Sequence, residues 1–388
     1  MKWTQTTLGD VAEIVSGATP KSDVEEYWDG PVAWATPTDL SQLNGKYIGK
    51  TARTLSQAGL SSCSSRVLPA NSVLFSSRAP IGLVAINTVP MATNQGFKSF
   101  IPKRELNPDY LFWWLRCHRE QLEDLGNGAT FKEVSKAVVS RVPFLLPSIE
   151  EQVRIAGILD KADGIRNKRE QAIGLVDEFA KSVFLEMFGD PTINEKDLPK
   201  KKLRDLGKIV TGNTPPRSDA SNFGNAIEWI KSDNINTDEH FLTRATEGLS
   251  EEGKNRGRIV PKGSILVTCI AGSPASIGRA AIADRDVAFN QQINAIIPNE
   301  RVNLYFLYAQ FLVGKSLVLK SSTNSMKGMI SKGTFQEIEF LCPDRKDQER
   351  FGKLFQKHME TTRSLRQDHI CANALFGTLS QRAFRGEL

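Results

Sequence analysis

Asn107-Pro108-Asp109-Tyr110 is the stretch of this 388-residue chain that most invites a chemical reading. An amide, a proline and a phenol in that order approach the N-P-P-Y pattern that grips an adenine for methyl transfer to its amino nitrogen. The second proline is missing, the helical run LFWWL follows at once, and no glycine-rich strand-to-helix turn upstream offers a seat for S-adenosylmethionine. The stretch is expected to start a helix. Gly248-Leu249-Ser250-Glu251-Glu252-Gly253-Lys254-Asn255 falls one residue short of a phosphate-binding loop. Asn255 stands where a metal-binding hydroxyl is needed, and Glu251 and Glu252 would repel phosphate. Ser250 is expected to cap a helix instead. Glu252 and Lys254 form an E-x-K with no upstream aspartate placed to complete a nuclease site. No Ser-His-Asp or Cys-His grouping stands out, so the chain is expected to catalyse nothing. Its five cysteines (Cys63, Cys117, Cys269, Cys342, Cys371) form no CxxC pair and its four histidines are scattered. That pattern implies reduced thiols and no metal site.

The elements that carry these residues occur twice. LGDVAEIVSGATP (Leu8–Pro20) returns as LRDLGKIVTGNTP (Leu203–Pro215) at an offset of 195, which also relates Trp34 to Trp229. PIGLVAI (Pro80–Ile86) answers SIGRAAI (Ser276–Ile282), and TNQGFKSFIP (Thr93–Pro102) answers FNQQINAIIP (Phe289–Pro298), both at 196. FLLPSIEEQ (Phe144–Gln152) matches FLCPDRKDQ (Phe340–Gln348), and MFGD (Met187–Asp190) matches AFRG (Ala383–Gly386). So nearly constant an offset marks a duplicated folded unit, since solenoid repeats have periods of 20–50 residues. The second copy of the first motif reads Val302-Asn303-Leu304-Tyr305. A catalytic tetrad would not vanish so completely from an otherwise parallel repeat.

Within each copy, short apolar runs broken by Gly, Pro, Ser and Asn predict strands. They are Val73–Phe75, Leu83–Ile86 and Phe97–Ile101, then Ile265–Val267, Ala280–Ala283 and Ile293–Ile297. One helix is expected to close each domain, at about Tyr110–Leu122 and Tyr305–Val318. After Pro147 the period changes. Ser148 and Glu151 are spaced as a reciprocal capping box, with Asp344 and Asp347 at the matching positions. Apolar residues then recur at steps of three and four: Ile155, Leu159, Ala162, Ile165, Ala172, Val176, Phe179, Val183, Met187. The second stripe runs Phe351, Phe355, Leu365, Ala372, Leu375, Leu379, Ala383, interrupted by His358 and Thr361. Each stripe predicts a coiled-coil-like helix of roughly 38 residues, about 57 Å long. Net charge is −4 over 149–198 and +3 over 344–388. The opposite signs predict antiparallel pairing with a domain at either end. Arg169, whose match is Leu365, is placed to set register between the rods. The boundaries expected are 1–148 and 199–343 for the two domains, with 149–198 and 344–388 for the helices.

With 40% hydrophobic and 24% charged residues the composition is that of a globular protein. MKWTQTTLGDV contains no apolar leader core and no run reaches the length of a membrane span, so a cytoplasmic, membrane-free protein is expected. The net charge of +6 is carried mainly by the two domains, at +2 and +5, which suits a polyanionic partner such as nucleic acid.

The ordered set of duplicated pieces resembles the specificity subunits of type I restriction–modification systems over nearly the whole chain. It comprises the opening L-x-D-hydrophobic-x-x-I-V-[ST]-G-x-T-P, the L-S-x-x-G of Leu55–Gly59 and Leu249–Gly253, and the I-G of Ile81–Gly82 and Ile277–Gly278. The N-Q of Asn94–Gln95 and Asn290–Gln291 and the P-x-x-x-x-Q of Pro147–Gln152 and Pro343–Gln348 complete it. Departures are small: Arg204 replaces the glycine of Gly9, and Cys342 breaks an aliphatic pair. The resemblance implies an α+β fold with two mixed α/β target recognition domains, separated by two long antiparallel coiled-coil-like helices in a pseudo-two-fold arrangement. It implies that each domain reads one half of a split site in double-stranded DNA. Two methyltransferase subunits would dock on the helices and restriction subunits would join through them. It also implies no cofactor on this chain, with S-adenosylmethionine used by the methyltransferase partner and ATP and Mg2+ by the restriction partner. An adenine methyltransferase using Asn107–Tyr110 and a non-reading assembly scaffold stay open as alternatives.

Arginine and lysine hold phosphates or read guanine, and asparagine and glutamine suit adenine edges. The candidates for DNA contact are Lys21, Lys46, Arg53, Arg66, Arg78, Asn94, Gln95 and Lys98 in the first copy. In the second they are Arg217, Lys231, Asn234, Arg256, Arg258, Asn290, Gln291 and Lys327. Two domains that read different half-sites should differ at base contacts. The recurring Asn-Gln pairs therefore point to turns or phosphate contact, and Arg78, without a basic match, to base reading. Trp34 and Trp229 are expected to be core anchors.

Overall fold

The computed structural model describes residues 3–127, 132–235, 239–321 and 328–388. The chain divides into two compact units, one of residues 1–168 with 370–388 and the other of residues 169–369. Each long helix gives one stretch to each unit.

In the first unit a five-stranded sheet runs Ala12–Ser16, Lys98–Pro102, Val73–Phe75, Val84–Asn87, Tyr47–Ile48. Its last pair is parallel and the others antiparallel. Val73, Leu74 and Phe75 are all fully buried. They face two different apolar clusters, so the strand reads as a continuous apolar run without alternation. A second sheet orders Arg53–Leu55, Trp28–Ala35, Met91–Thr93, and Thr4–Thr7 pairs with Pro143–Leu146. The second unit repeats this plan. One sheet orders Gly207–Thr211, Ile293–Pro298, Ile265–Thr268, Ala280–Ile282, and another orders Gly248–Leu249, Phe223–Ile230, Val287–Phe289, Ile259–Val260. The edge strand Tyr47–Ile48 of the first unit shrinks there to a single parallel bridge, Phe241 to Ile282.

The helix expected to close each domain is broken in two. Pro108–Cys117 is followed by Arg119–Asp124, and Leu304–Val313 by Lys315–Lys320. The breaks fall at His118 (φ −100°, ψ 18°) and at Gly314 (φ −97°, ψ 29°), equivalent positions in the repeat. The His118 ring bonds to the Trp114 carbonyl at 2.8 Å, while glycine is the ordinary residue least held in a helix.

The two long helices are Ile149–Phe188 and Arg345–Arg385, of 40 and 41 residues. At their rise each is about 60 Å long. Their packing within each unit is antiparallel. In the first unit Arg154 bonds to the Leu388 carbonyl and Arg166 lies over the Phe376 ring. In the second, Arg169 bonds to the Asp368 carbonyl, Asp177 lies beside His358, and Phe184 packs edge-on against Phe351. Rising numbers on one helix thus meet falling numbers on the other. Arg169 does grip the opposite helix, through its backbone.

Two details of the helix reading are corrected. Ser148 Oγ accepts the Glu151 N–H at 3.4 Å, but the Glu151 carboxylate turns forward to Arg154, so the reciprocal half of the box is missing. From the predicted stripes, Ile165, Phe179 and Leu375 are exposed. A helix of 3.6 residues per turn drifts about 20° per heptad, which carries a stripe of mixed spacing off the contact line.

Candidate nucleic-acid interface

Three of the repeated motifs converge in space in each unit. In the first, the Gly17–Lys21 loop is tied down from several sides. Ala18 N–H bonds to the Thr93 carbonyl at 3.0 Å, Thr19 Oγ1 donates to Gln95 Oε1, and Trp34 Nε1 donates to the Ala18 carbonyl at 3.1 Å. Trp28 Nε1 reaches the Lys21 carbonyl at 3.3 Å. The second unit copies the set: Asn213 N–H to the Phe289 carbonyl, Thr214 Oγ1 to Gln291 Oε1, and Trp229 Nε1 to the Asn213 carbonyl at 3.2 Å. Gly17 and Gly212 are required by this closeness, since a Cβ at either would collide with the carbonyl oxygen of Asn94 or Asn290.

Asn94 Oδ1 accepts the Gly96 N–H at 2.9 Å and Asn290 Oδ1 the Gln292 N–H at 3.1 Å, side-chain turns of the kind asparagine favours. The Asn-Gln pairs thus serve the frame: the asparagine shapes the turn and the glutamine holds the loop. Trp34 and Trp229 are 4% and 2% exposed, as core anchors should be.

Above this common frame the charges differ. Trp28 and Trp34 meet edge to face at 5.1 Å, and the Arg53 guanidinium lies 3.4 Å from the Trp28 ring centre. Among the described residues Arg53 has no carboxylate partner. Such stacking holds a guanidinium flat while leaving its N–H edge free. In the second unit Phe223 and Trp229 form the equivalent pair at 6.1 Å, with Arg217 5.3 Å and Lys231 5.4 Å from the Trp229 ring. Glu247, which occupies the place of Arg53, binds Arg217 at 3.1 Å and Lys231 at 2.5 Å. The bond from Lys231, then those from Arg217, hold the Glu247 carboxyl below its usual range. The same aromatic seat therefore offers a free guanidinium in one unit and two cations bridged by a carboxylate in the other.

The remaining candidates separate by surroundings. Lys21 and Arg258 are exposed, with Arg258 bonding the Thr211 carbonyl at 3.3 Å. Arg66 pairs with Glu13, and Arg256 with Asp219 and Glu252. Arg78 and Lys98 share Glu133 at 2.8 and 3.1 Å. Burial opposes ionisation of Glu133, but the bonds from Arg78 and Lys98 outweigh it and hold the carboxyl low. Lys98 is buried, which removes it from any surface. Lys46 is likewise turned inward, its ammonium 2.6 Å from Asp109 and 2.7 Å from Asp160. Asn234, 8% exposed, spends its amide on Lys231 N–H, Thr243 Oγ1 and the Arg244 carbonyl. For Lys46, Lys98 and Asn234 the fold supplies protein partners where DNA contact was expected. Lys327 lies outside the described residues. Trp28 and Glu247 escaped the sequence reading, although a tryptophan matched by Phe223 at offset 195 and an arginine matched by an acid at offset 194 were signals.

The two motifs with catalytic overtones are helix starts. Asn107 Oδ1 accepts the Tyr110 N–H at 3.0 Å, and Asn303 Oδ1 accepts from Tyr305 and Phe306. Tyr110 is fully buried with its hydroxyl donating to the Leu145 carbonyl, out of reach of a flipped base. Ser250 Oγ accepts the Gly253 N–H at 3.0 Å, and Ser56 does the same for Gly59. Among the described residues no helix is long and apolar enough to cross a membrane.

Comparison with known proteins gives this geometry a family. The chain is 33% identical over 232 residues to the type I restriction enzyme MjaIX specificity subunit of Methanocaldococcus jannaschii, a stretch covering 55% of this chain and 54% of that protein. It is 33% identical over 156 residues to the HindI specificity subunit of Haemophilus influenzae, covering 37% and 32%. The chain thus spans about half the length of the first of these curated relatives and about a third of the second. The fold resembles that of the type I restriction–modification S subunit from M. genitalium, with a TM-score of 0.62 at 14% identity over 99% of this chain and 96% of that one. A chain from a study of complex assembly and conformational transition in a type I system aligns with a TM-score of 0.61 at 18% identity, over 100% and 98%. The family described as type I restriction modification DNA specificity domain matches residues 1–174 and again 195–370. Two matches covering most of the length, each containing one copy of the loop, tryptophan and Asn-Gln frame, make this chain a member of the type I restriction modification DNA specificity domain family.

Proposed function

We propose that the chain is the sequence-reading subunit of a type I restriction–modification assembly, with each unit's domain recognising one half of a bipartite duplex site. The observation that carries this reading is the aromatic seat built twice on one frame and topped by different charges, Arg53 in one copy and the Arg217–Lys231–Glu247 cluster in the other. Equivalent scaffolds with unequal polar edges are what two different half-sites require. Two methyltransferase subunits dock on the long helices, and restriction subunits join through them. Exposed apolar residues on those helices, Leu175 and Phe179 in the second unit and Ile370 and Leu375 in the first, support such docking. The chain performs no chemistry. S-adenosylmethionine is bound by the methyltransferase partner, ATP and Mg2+ by the restriction partner, and the complex works in the cytoplasm.

The test is to map adenine methylation in random duplex DNA exposed to the chain with its methyltransferase partner. Methylation at one split sequence is expected. Methylation without sequence preference would leave only a scaffold, and methylation by the chain alone would revive the catalytic reading of Asn107–Tyr110.

A further inference from the structure

Histidines scattered along the sequence come together in the second unit. Asp177 on the first long helix, His358 on the second and His240 in a domain loop each offer a ligand atom, all within 4.8 Å of one another. Asp177 Oδ1 lies 3.5 Å from His358 Nε2, too far for a good hydrogen bond. It is close to the edge, roughly 3.3 Å, of a tetrahedron of nitrogen and oxygen ligands around zinc. Three atoms here are buried without a hydrogen-bond partner: Asp177 Oδ1, His240 Nε2 and His358 Nδ1. The His358 side chain is 7% exposed. Asp177, His240, His358, Phe184 and Phe355 line a cavity of about 180 Å³. Outer partners are in place for His240 and Asp177, while His358 Nδ1 has none. His240 Nδ1 lies 3.2 Å from Tyr308 Oη, whose own proton points to the Ala280 carbonyl at 3.5 Å. With Nδ1 as the donor to Tyr308, Nε2 keeps a free lone pair, the arrangement common behind metal-bound histidine. Arg366 Nη2 holds the other oxygen, Asp177 Oδ2, at 3.4 Å.

The repeat supplies an independent argument. Ile86 N–H bonds to the Lys46 carbonyl at 2.8 Å, and Ile282 N–H to the His240 carbonyl at 2.9 Å. The next residues, Tyr47 and Phe241, make the same parallel bridge to Ile86 and Ile282. Lys46 and His240 are thus equivalent. In the first unit the Lys46 ammonium joins the loop to Asp160 on the long helix and to Asp109. In the second unit the same place holds an imidazole facing another imidazole and a carboxylate, whose outer oxygen Asp177 Oδ2 meets Arg366 while Oδ1 is left to the histidines.

We propose that Asp177, His240 and His358 bind a zinc-class divalent cation that fastens the His240 loop to both long helices. Two imidazoles and one carboxylate favour such an ion over calcium or magnesium, which prefer oxygen ligands. This site is independent of the DNA-reading proposal.

The experiment uses the full chain, stripped of metal by chelator and titrated with Co2+, whose visible absorption reports its ligands. One Co2+ per chain, displaced by Zn2+ and without thiolate charge-transfer bands, is expected. Added Zn2+ should raise the melting temperature. His358→Gln should weaken Co2+ binding by roughly a hundredfold or more, at least as much as second-shell losses do. His240→Lys places an ammonium beside Asp177, as Lys46 stands beside Asp160 in the first unit. It should abolish Co2+ binding while the metal-free chain melts no lower than metal-free wild type, so loss of binding is separated from loss of fold. No Co2+ bound to wild type, thiolate bands, or undiminished binding in either variant would overturn the proposal.

Discussion

Gln152 Oε1 accepts the backbone N–H of Asn107 at 2.8 Å, and the repeat makes the same bond from Asn303 to Gln348 at 2.9 Å. Each glutamine opens a long helix, is fully or almost fully buried, and caps the loop that starts a domain helix. Gln152 Nε2 also donates to the carbonyls of Glu105 and Pro147, both at 2.9 Å. Gln152→Ala would strand a buried N–H and two carbonyls, at about 1–3 kcal/mol for each group left unpaired. Urea unfolding followed by tryptophan fluorescence checks this, because Trp3, Trp28, Trp34, Trp113 and Trp114 belong to the first unit and only Trp229 to the second. A loss of at least about 2 kcal/mol is expected, and a loss under about 0.5 would contradict the clamp.

Asn107 gives a second test on the same loop. As a helix cap, Asn107→Ala should cost about 1 kcal/mol of stability. Methylation by the complex should otherwise proceed at the wild-type rate. Equilibrium dialysis of the isolated chain with S-adenosylmethionine should detect no stoichiometric binding. A methylation defect out of proportion to the stability loss would count against the capping role.

Arg53 and Arg217 stand at equivalent seats in different units, so their effects should segregate. Arg53→Ala is expected to relax base preference in one half-site only, and Arg217→Ala in the other only, each by about 1–3 kcal/mol of discrimination. Selection from a randomised duplex library at fixed salt measures both. If either variant merely lowers affinity uniformly and reduces the salt dependence by about one ion, its side chain holds a phosphate.

Gly17→Ala pushes a methyl group into the Asn94 carbonyl, a backbone atom that cannot swing aside. The loop must lift off Trp34 and Gln95. Destabilisation of about 1–3 kcal/mol is expected, with weaker DNA binding confined to one half-site. Gly212→Ala should act in the same way on the other half. Thermal melting with half-site binding assays reads both.

Glu228 sets a pH dependence in the second unit. Burial works against its ionisation, but bonds from Arg285, the Ala245 N–H and Arg244 pull its pKa down from 4.5 to about 2. A group whose folded pKa is depressed stabilises the fold above its unfolded value, and that contribution fades as pH falls toward the folded one. The stability difference between wild type and Glu228→Gln should therefore be full above pH 4.5 and shrink between pH 4.5 and about 2. Denaturant titrations across that range test it. A difference that stays constant would mean Glu228 acts through packing alone.

The duplication, the strand cores at Val73–Phe75 and Ile265–Val267, and two helices of nearly the observed length are legible in the order of residues alone. These depend on local periodicity and on comparing one half of the chain with the other. Partner choice depended on the tertiary structure. Lys46 and Arg53 look alike in sequence, yet one is drawn inward by Asp109 and Asp160 while the other lies on Trp28, because the fold decides which charges meet. The same holds for Asp177, His240 and His358, which lie far apart along the chain and are brought together by antiparallel helix packing and one loop bridge. Periodicity records which face of an element is apolar. It carries no record of which polar atoms from distant elements will share a buried space, and those contacts compose both the aromatic–cation seats and the Asp-His-His cluster.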